Sequence, residues 1–106
     1  MNQESKLSHL VFFTLNDASP AQKDKLVAEC HTYLKNHPGV VYFSAGTLAE
    51  ELNRPVNDRS FDVSLVVVFE SQPAHDAYQQ APDHLTFIAR NQANWKQVRV
   101  FDSRVR

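Results

Sequence analysis

Residues 7–15, LSHLVFFTL, carry apolar side chains on both alternating sets: Leu7, Val11, Phe13 and Leu15 on one, Leu10 and Phe12 on the other. A strand that is apolar on both faces has to be covered on both, and this restricts the fold more than any other stretch of the chain. Residues 61–70, FDVSLVVVFE, repeat the pattern. Phe61, Val63, Leu65, Val67 and Phe69 share one face, and Val66 and Val68 make the second half of the segment two-sided. Both segments read as central strands. Residues 40–48 and 97–105 are more polar along one set and suit positions nearer a sheet edge.

Between the first two strands, Ser19 is a predicted N-cap, Pro20 takes the first helical position, and Gln22 stands three residues after the cap, the spacing of a capping box. Leu26, Val27, Cys30 and Leu34 then form an apolar stripe at helical spacing, and His37-Pro38-Gly39 stops it. Ser71 and Pro73 repeat the cap. Ala81-Pro82 breaks the second helical segment and restarts it, with Leu85, Ile88 and Trp95 expected on one side. The order strand, helix, strand, strand, helix, strand predicts an α+β chain of one domain over residues 1–106. Its plan is ferredoxin-like βαββαβ, a four-stranded antiparallel sheet with the helices on one face. Residues 49–60 read as a polar loop. Helices on one face leave Leu10, Phe12, Val66 and Val68 on the other. The simplest cover is a second copy of the same sheet, so the pattern predicts a homodimer joined through its sheet faces, a dimeric α/β barrel.

Several function classes fall away. Eleven Lys and Arg balance twelve Asp and Glu without a run of like charge, so no nucleic-acid partner is expected. No stretch is apolar and long enough to span a bilayer, and the first ten residues lack the pattern of a signal peptide, so a cytoplasmic protein with no membrane contact is expected. A single cysteine makes no internal disulfide. Two glycines exclude a glycine-rich phosphate loop or dinucleotide fingerprint. The five histidines lack HxxxH or HExxH spacing, so neither a metal site nor another cofactor is expected. His37 suits a helix end, and His31 and His75 read as solvated.

Tyr78 and His84 flank the Ala81-Pro82 break. An imidazole can take a proton from carbon beside a carbonyl, while a phenol donates a hydrogen bond to the oxygen where charge develops. The same residues also suit a plain corner, in which Pro82 and Asp83 start a helix, His84 satisfies a backbone carbonyl and Tyr78 buries its ring. His9 alternates with Val11 and Phe13, which puts it on the helix-facing side as either a pocket residue or a hydrogen-bonded core histidine.

The segments HLVFFTL, HPGV, VVVFES, AYQQAPDHLTF and a closing VRVFD, in this order over residues 7–103, resemble the stress-responsive A/B barrel, or Dabb, family of dimeric α/β barrels. The resemblance implies a ferredoxin-like protomer and a barrel made from two sheets. A plant polyketide cyclase of that family closes a ring by aldol-type condensation, using a tyrosine and a histidine that match Tyr78 and His84 here, and its strand-one histidine matches His9. Val11, Phe13, Leu26, Val27, Cys30 and Leu65 would then carry the pocket wall. A second histidine of the cyclase is Val63 here, and aromatics of its first helix become Leu26 and Val27, which changes the substrate pocket. The expectation is a homodimer that binds a small organic molecule in a mostly apolar pocket between helices and sheet. Alternatives are a cofactor-independent lyase or cyclase acting on a β-keto or polyketide-like compound, a cofactor-free monooxygenase, and a structural stress-response protein. In the lyase reading His84 is the base, Tyr78 the donor and His9 a positioning group.

Overall fold

The computed structural model describes residues 5–106. Strand β1 (Lys6–Leu15) is followed by helix α1 (Pro20–Leu34), strands β2 (Val40–Thr47) and β3 (Val63–Phe69), helices α2 (Gln72–Gln80) and α3 (Pro82–Asn91), a single 3₁₀ turn, and strand β4 (Trp95–Val105). All pairings are antiparallel, in the order β2-β3-β1-β4. The two strands with apolar residues on both faces are therefore the central ones. This is the ferredoxin-like arrangement, with the helices packed on one face of the sheet.

The period of two sorts β1 and β3 cleanly. Val11, Phe13, Leu65, Val67 and Phe69 are buried under the helices, and Leu26, Cys30 and Leu34 of α1 close over them. Among the described residues the opposite face has no such cover. Leu10, Phe12, Val66 and Val68 are only half-buried, and Phe101 of β4 and Tyr42 of β2 are exposed. Phe12 meets Phe61 and Phe101 with ring centroids 5.0 and 5.8 Å apart, and Arg99 lies over Phe12 while pairing with Asp58 of the 49–60 loop at 3.2 Å.

Local chemistry sets the element ends. The Ser19 hydroxyl accepts from the Gln22 amide at 3.3 Å, but the Ser19 amide donates to the Asp17 carboxylate at 3.1 Å. Only half of the expected capping box forms, because a nearer acceptor takes the second donor. Ser71 caps α2 by accepting from the Ala74 amide. Gly39 ends the turn after α1 with φ +90°, and a Cβ there would fall 2.5 Å from the Ala74 Cβ, so the position needs glycine for both backbone and space. Phe61 and Asp62 precede β3 and do not belong to it. The Asp62 carboxylate accepts from the Leu15 amide at 2.8 Å, while its own amide donates to the Phe13 carbonyl and its carbonyl accepts from the Leu48 amide.

The face of α3 differs from the expected one. Phe87 and Asn91 are buried while Leu85 is 52% exposed, and Trp95 opens β4 and is not part of the helix. Ala81 is extended, with ψ 139°, so α3 starts afresh at Pro82 and its inward face is set independently of α2. Phe87 then meets Phe13 and Trp95. No helix among the described residues is long and apolar enough to cross a membrane.

Candidate functional site

Three elements bring His9, Tyr78 and His84 to one cavity of about 200 Å³ between the helices and the sheet. His9 comes from the helix-facing side of β1, Tyr78 from the last turn of α2, and His84 from the first turn of α3. The Ala81-Pro82 break makes this possible. It ends α2 and restarts the chain as α3, so that the Tyr78 and His84 rings lie tilted against each other with centroids 4.6 Å apart. His9 lies 6.1 Å from the Tyr78 ring, edge-on.

Burial sets the proton chemistry of Tyr78 and His84. Burial pushes the Tyr78 hydroxyl well above the usual phenol range, with the neighbouring Cys30 adding to it, so the group is a neutral hydrogen-bond donor. Burial holds the His84 imidazole below its ordinary value, and neighbouring His9, His37 and His75 act in the same direction, against the hydrogen bond to Gln79. His84 Nδ1 lies 3.3 Å from the Gln79 carbonyl; donating there puts the lone pair of the neutral ring on Nε2. His9 Nδ1 lies 2.6 Å from an Asp102 carboxylate oxygen on the neighbouring strand β4, which fixes its ring in the same way. The sequence reading missed Asp102. The signal for it is sheet pairing, since Asp102 stands directly opposite His9 in the β1–β4 register.

Apart from Gln79, the rest of the cavity lining is apolar. Val11, Phe13 and Leu65 form its floor on the sheet. Leu34, Phe87 and Ile88 cover it from the helices, and Trp95 closes one side. Three residues predicted for the wall lie elsewhere: Cys30 is fully buried in the core, Val27 packs against that core, and Leu26 borders a separate depression. α1 presents a lower turn to the cavity than the matching implied, and Leu34 takes their place. Trp95 Nε1 is a buried donor with no hydrogen-bond partner among the described residues. Tyr78 and His84 also border a cleft of about 300 Å³ with His37 and Asp83, so the pair stands between the cavity and that cleft.

His75 is not solvated as expected. Its side chain is 16% exposed, and its ring packs edge-on against His9 and Phe69 at 5.3 and 5.5 Å. His31 is exposed. The burial of Cys30 holds its thiol protonated, with a value pushed up to about 12.

The chain matches the family model of the Stress Responsive A/B Barrel Domain over residues 7–105. No curated protein matches it. Among solved structures, a dabb family protein with a ferredoxin-like fold from Mesorhizobium loti is 22% identical, with 94% of this chain and 96% of that chain covered at a TM-score of 0.77. A dimeric ferredoxin-like protein of unknown function from Thermobifida fusca is 17% identical, over 99% and 95% of the two chains, at 0.78. A hydroxynitrile lyase from Passiflora edulis is 20% identical, over 98% and 96%, at 0.77.

Proposed function

The chain belongs to the Stress Responsive A/B Barrel Domain family, and on that premise we propose that two copies pair through their bare sheet faces and that each binds a small organic molecule carrying a carbonyl group. The convergence of His9, Tyr78 and His84 on one mostly apolar cavity is the observation that carries this reading. A cavity of roughly 150 Å³ holds benzene, so about 200 Å³ suits a single ring or a short diketone. The two features of the plain corner are present, since His84 Nδ1 lies 3.3 Å from the Gln79 carbonyl and the Tyr78 ring is buried, but a corner alone does not call for free polar atoms facing a cavity. Here His9 and His84 each commit one ring nitrogen to an internal partner and keep the second. Titrating the protein with β-diketones and small phenols, followed by amide NMR, tests the proposal. Binding is expected to shift Val11, Leu65 and Tyr78, and Tyr78→Phe should weaken it on the order of tenfold, the cost of one hydrogen bond. Ligands that leave these residues unshifted would end the proposal.

A second reading goes further, to cofactor-independent lyase or cyclase chemistry on a β-keto compound. It is favoured by the electrostatics of the Tyr78–His84 pair. A neutral imidazole with its lone pair on Nε2 removes a proton from carbon beside the carbonyl, and the neutral Tyr78 hydroxyl donates to the enolate oxygen. His9, held by Asp102, orients the substrate. Hydrogen–deuterium exchange at the carbon between two carbonyls reports the step without knowledge of the product. His84→Ala should slow catalysed exchange by about 10²–10⁴-fold; exchange at the solvent rate in the parent protein would leave binding alone as the function.

A further inference from the structure

We propose that His9, His75 and Asp102 form a binding site for a divalent transition-metal ion of the zinc class, at the edge of the cavity. The three residues come from β1, α2 and β4. One ring nitrogen of each histidine and one carboxylate oxygen all lie within 4.8 Å of one another. Two imidazoles and one carboxylate suit zinc, iron, cobalt or nickel, whereas magnesium and calcium prefer all-oxygen shells. Three protein ligands leave a further coordination position open.

The surroundings point the same way. Asp76 sits 3.0 Å from His75 Nδ1; the Gln79 side-chain amide, 3.3 Å from His75 Nε2, donates to that nitrogen and has to rotate away for an ion to bind there. A neutral His75 that donates from Nδ1 to Asp76 presents its lone pair at Nε2. This carboxylate–imidazole pairing is what orients ligand histidines in metal sites. His9 is buried, with its side chain 7% exposed, while the Asp102 side chain is 43% exposed and provides both the entry path and the adjustable ligand. Tetrahedral bonds of about 2.0–2.1 Å need donors set farther apart than the present 2.6 Å between His9 and Asp102, and rotation of the exposed carboxylate supplies this. The ion would take the position of the hydrogen that His9 and Asp102 now share.

This site shares His9 with the cavity but does not rest on any ligand there, so its test is independent of the proposed function. The untagged protein is freed of metal with a chelator, dialysed, and titrated with Co²⁺ and then Zn²⁺, following visible absorption and calorimetry. One equivalent per chain is expected, with cobalt bands that zinc displaces. His75→Ala and Asp102→Asn should each weaken binding by more than the roughly 10–100-fold expected of an outer-sphere loss such as Asp76→Asn. His31→Ala, at the exposed histidine, should leave binding unchanged. Asp102→Asn alters an exposed side chain, so it keeps the test decisive if His75→Ala fails to fold. Absence of saturable uptake, or uptake that ignores both ligand substitutions, overturns the proposal.

Discussion

The two faces of the sheet are built from the same strands, yet they end in opposite conditions. On the helix side every apolar residue of β1 and β3 is sealed, and Phe69 and Val67 have no exposed surface. One residue along, Leu10, Phe12, Val66 and Val68 keep part of theirs, and Phe101 beside them is 50% exposed. The sealed face makes the protomer fold and also holds the histidines and the tyrosine. The bare face contributes less to the protomer, and in the proposed pairing its share goes to association, because apolar surface of this kind is stabilised mainly by removal from water.

Substitutions on the two faces should therefore have different readouts. The largest effect is expected at Phe69→Ala, which should cost about 3–5 kcal/mol of stability in denaturant unfolding, since it opens a hole in the sealed layer. Val66→Asp on the bare face should weaken self-association by about 3 kcal/mol, on the order of a hundredfold in Kd, by placing an uncompensated charge between sheets. Sedimentation should then show monomers that keep the circular dichroism of the parent. In that monomeric background Phe101→Ala should change unfolding stability by less than about 1 kcal/mol, and a cost as large as that of Phe69→Ala would erase the distinction between the faces.

The smallest effect expected is a pH slope. His84 is held below its ordinary value, so between its folded and unfolded values the unfolded chain binds more protons and stability rises with pH. The contribution is complete above the unfolded value of about 6.5 and is lost as pH falls through the lower, folded value. His84→Gln should flatten the acid side of the stability profile without moving its neutral plateau by much. A parallel profile in both proteins would mean that His84 is not held neutral by its surroundings.

Much of this contrast was legible in the sequence, because period-two alternation in β1 and β3 states outright which residues share a face. It named the order of elements, the helix-facing position of His9 and the pairing of Tyr78 with His84 across the break. It did not reach Asp102 or the burial of His75. Those depend on sheet register and on how α2 lies over β1, which no local pattern encodes. Of the expected wall, Val11, Phe13 and Leu65 line the cavity while Leu26, Val27 and Cys30 do not; they share the apolar stripe with Leu34, and a stripe does not say which of its turns lies over a hollow.

Trp95 gives the molecule a built-in optical probe. It is the only tryptophan in the chain, it borders the cavity, and its indole N–H is buried without a partner among the described residues. The emission colour of an indole follows the polarity around it and any acceptor its N–H finds. Fluorescence excited at the red edge of the protein band thus comes from one ring, beside the cavity proposed to hold a small guest. Compounds could be screened by the shift of a single emission maximum, with no label and no knowledge of any reaction.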